Sequence, residues 1–212
     1  MTTDPPAPGR VLLLAGCFAD AAPSIGLAVA LAARMRASIE AVLALDARAE
    51  GAALVPFGRP RGAPPPALSR ESLTLSYAAD ARAFRLRLDK AAAGASLRWS
   101  FRTESGLLPD LALGMWQPGD AVIFGHRRFL ALRGPVVSLG GDQDGSASRL
   151  AGDLARALGL RARVLPAETP PAQLDALAAS ALVLPRSFQT DRRLLAALIE
   201  AARCPVLLGP AE

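Results

Sequence analysis

The chain has 212 residues, is 51% apolar with a mean hydropathy of +0.28, and carries a net charge of +5, which suits a sizeable buried core and excludes disorder throughout. No run reaches the roughly eighteen consecutive apolar residues of a membrane span, and MTTDPPAPGR has no basic start leading into an apolar stretch, so a soluble, cytoplasmic chain is expected, with no membrane partner. Lys90 is the only lysine and the arginines alternate with carboxylates instead of forming a block, so nucleic acid is not the expected partner despite the basic balance.

Val11 to Ala15 (VLLLA) is a continuous apolar run, the pattern of a strand buried on both faces of a parallel sheet. Pro23 and Ser24 open a helix whose stripe is Ile25, Leu27, Ala28, Leu31, Ala32 and Met35, with Asp20 as its expected N-cap. SIEAVLAL, residues 38 to 45, is a second strand and completes a β-α-β unit. Residues 48 to 69 turn to Gly, Pro, Ala and Arg, as in GRPRGAPPPA, and read as a mobile surface insert. Leu73, Tyr77, Ala81, Phe84, Leu88 and Ala91 then recur at intervals of three and four and define one helix stripe, stopped by Gly94. In SLRWSFR, Leu97, Trp99 and Phe101 alternate with polar neighbours, which predicts a strand near a sheet edge. A short helix from Leu107 to Trp116 and the turn QPGD lead into AVIFG, residues 121 to 125, another buried strand.

The second half repeats this outline. PVVSL is a strand, GGDQDGSAS (residues 140 to 148) a turn, Arg149 to Leu158 a helix, and RARVL the next strand. A helix near 172 to 179, the strand ALVLP, a helix from Asp191 to Ala202 and the strand PVLLG follow. LAVALAARMRASIEAVLAL and LAGDLARALGLRARVLPA each run from helix to strand in the same way, so two linked copies of one unit are expected, residues 1–133 and 134–212.

PVVSLGGDQDGSAS, AVIFGHRR and AARCPVLLGP together resemble the universal stress protein family in a tandem, degenerate form: its first strand and turn, its fourth strand with the following glycine, and its last helix and strand. The resemblance implies a doubly wound open parallel α/β sheet of the adenine-nucleotide-hydrolase-like type, with the two halves packed as a pseudo-dimer. It also implies ATP or AMP at the carboxyl ends of the strands, an aspartate after the first strand, and a phosphate loop of the form Gly, two residues, Gly, nine residues, Gly-Ser or Gly-Thr. Loops and helix N-termini at that edge favour anions on general grounds. The sequence departs from this loop. Arg128 stands where the second glycine belongs, and PRSFQTDRR, in the corresponding place of the second half, has none.

The residues left to hold a nucleotide or another anion are Asp142, Asp144, Gly125, Arg127 and Arg186, with Arg128, Arg192 and Arg193 beside them. The two aspartates serve equally well as turn and N-cap residues, and the arginines as a solvated basic rim. SLGGDQDGS also resembles the phosphate loops of ATP pyrophosphatases and of certain lipid and NAD kinases, but in each an extra residue breaks the spacing. His126, the only histidine, has no nucleophile-elbow signal to act with. Cys17 and Cys204 lack metal or dithiol spacing; Cys17, at a strand end before a helix, is the one open to activation. The expectation is a non-catalytic regulatory module working through a protein partner or self-association, with no cofactor. The alternative is an ATP- or AMP-binding protein of the same fold, slowly hydrolytic.

Overall fold

The computed structural model describes residues 9–45, 70–125, 134–140 and 145–209. The apolar runs form eight strands: β1 (Arg10–Ala15), β2 (Ser38–Leu45), β3 (Trp99–Ser105), β4 (Ala121–Phe124), β5 (Val136–Leu139), β6 (Ala162–Leu165), β7 (Ala181–Leu184) and β8 (Val206–Leu208). The helices are α1 (Phe18–Met35), α2 (Arg70–Ala93), α3 (Leu108–Met115), α4 (Gly145–Leu158), α5 (Pro171–Asp175) and α6 (Arg192–Ala201). The insert at 48 to 69 lies outside the described residues.

All eight strands belong to one sheet in the order β3-β2-β1-β4-β8-β7-β5-β6. β1 to β4 are mutually parallel, as are β5 to β8, and the two sets meet antiparallel where β4 pairs with β8, Ile123 opposite Leu207. The expected open parallel arrangement thus holds within each set, and the described strands join at a single antiparallel seam at the centre of the sheet. Counted outward from the seam, the orders are β4-β1-β2-β3 and β8-β7-β5-β6; with β7 set against β4, the run β7-β5-β6 repeats β4-β1-β2, and the second set has β8 in addition and no described counterpart of β3.

Strand residues alternate between faces, so β1 feeds two cores. Val11, Leu13 and Ala15 pack with α1, α2 and α4, while Leu12 and Leu14 pack on the face that carries α3, α5 and α6. Both cores cross the seam, since Ile123 and Leu207 share one and Phe124 and Val206 the other. α2 buries Phe84 and Leu88 of the expected stripe, together with Ala92 beside the expected Ala91, and Phe84 meets Phe101 of β3 edge-on at 5.4 Å. β3 is an edge strand, as its alternation predicts.

Three boundaries differ from the reading of the sequence: α4 begins at Gly145, so GSAS of the expected turn belongs to the helix, and α1 and α5 are the other two. α1 begins at Phe18, with Cys17 at the N-cap position, so Asp20 lies in the first turn and Pro23 inside the helix. Proline removes one intrahelical bond, and the buried row Ile25, Ala28, Leu31 and Ala32 holds the helix regardless. α5 stops at Asp175, well short of 179. By length and composition α1 could also cross a membrane, with a mean hydropathy of 1.3, but here its apolar stripe is part of the sheet's core.

Ser24 is fully buried on α1 and its hydroxyl oxygen has no hydrogen-bond partner among the described residues. Ser24→Ala removes an unsatisfied polar atom and improves helix propensity, so it is expected to add about 1 kcal/mol of stability. Thermal unfolding checks this: a midpoint that falls would mean the hydroxyl has a partner the fold depends on.

Candidate functional site

At the carboxyl ends of β1, β2 and β3 lies a cleft of about 420 Å³, within the size range of small-molecule sites. Its floor is made by the turns after the strands. Gly106, which ends β3, has φ +152, and its N–H donates to the Leu45 carbonyl at 3.0 Å. A side chain there would be strained and would meet Leu111 at 3.1 Å, so glycine is needed for the turn that opens the cleft. Leu107, Leu108 and Pro109 form one wall at the start of α3, and Ala196, Ile199 and Glu200 of α6 form the other. The cleft is thus closed by a helix from the opposite half. Glu200, itself exposed, is the one charged residue among its described lining, and it opposes a phosphate there by charge.

The corresponding edge of the second half is filled by the chain itself. After β7, Arg186–Thr190 form a 3-10 turn closed by the Phe188 N–H on the Pro185 carbonyl at 3.1 Å and the Thr190 hydroxyl on the Ser187 carbonyl at 2.8 Å. Asp191 caps α6, accepting from the Arg193 and Leu194 N–H groups at 3.0 Å each. Those two donors are the ones an anion would use, and a carboxylate already holds them.

Arg186 is exposed, with its guanidinium 4.7 Å from the centre of the Trp116 ring. Because the halves run in opposite directions, Arg186 sits at the amino ends of β1 and β4, while Gly125 sits at their carboxyl ends. The structure therefore does not bring these two candidates together. Gly125 is a packing residue: its N–H donates to the Leu14 carbonyl at 2.7 Å, and a Cβ would lie 2.8 Å from the Asp20 carbonyl oxygen. Asp142, Asp144, Arg127, Arg128 and His126 lie outside the described residues. Arg192 is paired with Asp110 at 3.1 Å. Cys204 is buried.

Cys17 is half-buried at the start of α1. Burial pushes its thiol above the ordinary value, and the carboxylates of Asp20 and Asp80 add to the rise. The Asp20 backbone N–H at the helix start pulls the other way, but the net shift is upward, so the thiol is not activated. Folding favours the neutral thiol, so this contribution to stability is full below the unfolded thiol's pKa and fades as pH climbs through the higher folded value. Iodoacetamide is expected to label Cys17 more slowly in the native chain than in the urea-unfolded chain near neutral pH. Equal rates by peptide mapping would instead mark an open, reactive thiol.

Sequence reasoning missed a polar cluster at the amino ends of the first four strands. Asp120 is 2% exposed and accepts from the Arg10 backbone N–H at 2.8 Å, from the Arg10 guanidinium at 2.7 Å and from the Gln117 N–H at 3.0 Å. Arg10 also donates to Glu40 at 2.8 Å and to the Met115 carbonyl at 3.1 Å, and Arg102 pairs with Glu40 at 2.9 Å. The Asp120 carboxylate, its nearest charge, raises the Arg10 pKa further above its already high value. The cluster ties β1, β2, β3, β4 and α3 together. Glu40 inside the apolar run SIEAVLAL was the available signal, since a charge in a buried strand needs a partner.

No protein-family model matches the chain, and no curated protein matches it by sequence. Among solved structures, a universal stress family protein from Burkholderia pseudomallei is 17% identical, with 98% of this chain and 100% of that one covered and a TM-score of 0.34. One from Archaeoglobus fulgidus is 9% identical over 95% and 96% of the two chains, with a TM-score of 0.40. A universal stress protein in complex with cAMP is 16% identical over 77% and 100%, with a TM-score of 0.33. The solved structures similar to this chain include three universal stress proteins.

Proposed function

We propose that this chain is a non-catalytic regulatory module of the universal stress type that acts through protein contacts, with weak or no nucleotide binding. The observation that carries the reading is the pair of carboxylates at the two edges where phosphate would have to sit. Asp191 holds the α6 amides in the second half, and Glu200 faces the cleft of the first. Each opposes a polyanion by charge, and Asp191 also takes the donors that would bind it. On this reading residues 1–133 and 134–212 act as an internal pair, and the apolar cleft between α3 and α6 serves a protein side chain or a small apolar group.

The competing reading places AMP or ATP in the first-half cleft, whose volume and apolar walls suit an adenine ring, or beside Asp142 and Asp144 at the opposite edge with Arg186 on the phosphates. Denaturing release with mass spectrometry, followed by calorimetric titration of ATP with magnesium, separates the two. The expected result is no released nucleotide and no heat at millimolar ATP. Saturable one-to-one binding, weakened by Asp144→Ala, would defeat the proposal and move attention to hydrolysis.

A further inference from the structure

α2 is 24 residues long and lies at the β3 side of the sheet, with only its inner stripe in the core. Its opposite face carries the two most exposed large apolar side chains among the described residues, Leu75 at 66% and Leu86 at 72%. They are eleven positions apart, which is three turns plus about 20°, so they stand in one row about 16 Å apart along the helix. Ala79 and Arg82 fall between them on the same face, and Glu71 and Lys90 lie one turn beyond at either end, all exposed. Glu71, Arg82 and Lys90 have no ion-pair partner among the described residues.

We propose that this face of α2 is a self-association surface, and that its occupant is α2 of a second copy lying antiparallel across a two-fold axis. The row is self-complementary in that direction alone. With the axis between residues 80 and 81, Leu75 meets Leu86 of the partner subunit, Glu71 meets Lys90 of the partner subunit, and Ala79 leaves room for Arg82 of the partner subunit. Each of these contacts occurs twice, as an isologous interface requires. Parallel pairing in register would set Glu71 against its own copy and Lys90 against its own, which is repulsive at both ends. Alanine at positions 78 and 79, both exposed, lets the helix axes come close enough for the leucines to interlock. Apolar side chains flanked by paired charges at the ends are the pattern that sets both affinity and direction in antiparallel helix pairs. The proposal names the partner for the protein-contact reading. That reading is tested by nucleotide titration and this one by mass, so either can fail alone.

Analytical ultracentrifugation of the full chain across the micromolar range tests it. A monomer–dimer equilibrium is expected, with Leu75→Arg and Leu86→Arg each weakening it by at least about tenfold, because each change is counted twice in the interface. Both positions are exposed, so the thermal midpoint of the dilute monomer should stay unchanged. Glu71→Lys and Lys90→Glu should each weaken the dimer, and the double exchange should restore it. A mixture of Leu75→Cys and Leu86→Cys chains should form a mixed disulfide that neither forms alone. A wild-type chain that stays monomeric, a dimer indifferent to both arginine variants, or a double exchange that fails to restore association would overturn the proposal.

Discussion

Asp120→Ala is expected to cost about 3 kcal/mol of stability, the lower end of what breaking a buried ion pair costs. The carboxylate is 3% exposed and holds three donors at once, namely the Arg10 N–H at the start of β1, the Arg10 guanidinium and the Gln117 N–H in the turn before β4. Its removal leaves two backbone N–H groups without that acceptor and strips Arg10 of its closest counter-charge. Arg10 is 28% exposed and keeps Glu40, so water and the second carboxylate soften the loss, which places the figure at the low end. Asp120→Asn, which keeps one carbonyl acceptor, should lose less. In a chain of this size 3 kcal/mol corresponds to a fall in thermal midpoint of roughly 6 to 12 °C. Urea unfolding of both variants checks the order and the size; a loss below about 1 kcal/mol would mean that the cluster is no stronger than an exposed ion pair.

Gly125→Ala should destabilise the fold by about 1–3 kcal/mol, the usual cost of forcing an extra carbon into a filled space. The Cβ would stand 2.8 Å from the carbonyl oxygen of Asp20, in the first turn of α1, and 3.0 Å from the Cβ of Ala15, the last residue of β1. Backbone conformation adds nothing to the cost, since Gly125 is not among the residues with positive φ. Gly125→Val should be worse, and the loss should be the same with or without ATP. This separates two roles for one glycine. A phosphate-contacting glycine would lose nucleotide affinity at unchanged stability, whereas a packing glycine loses stability with no nucleotide present.

The strands were legible because VLLLA, AVIF and ALVL are short, continuous and bounded by turn residues, and the inner stripe of α2 was legible from its three- and four-residue spacing. Trp99 and Phe101 announced the sheet edge by alternation. The seam was not legible. AVIF and VLL are apolar at every position, so neither carries a pattern that names its neighbour or its direction. That gap misled the reading of the site. Gly125 and Arg186 follow comparable strands in the two halves, and only the antiparallel seam puts them at opposite edges of the sheet. The start of α1 was misread because Pro23 and Ser24 imitate an N-terminal signal, whereas the buried contacts of Ala21 and Ile25 carry the helix back past them. The Arg10 cluster escaped notice because its carboxylates are 30 and 110 positions away from the arginine.

The seam also dictates an order of assembly. Among the described strands β8 comes last in sequence yet occupies the middle of the sheet, between β4 and β7. During synthesis the first four strands can pair among themselves, but β4 keeps a bare apolar edge until Val206, Leu207 and Leu208 have left the ribosome. Such an edge invites pairing with another nascent chain, so the interval before β8 arrives is when the sheet is most open to wrong strand pairing.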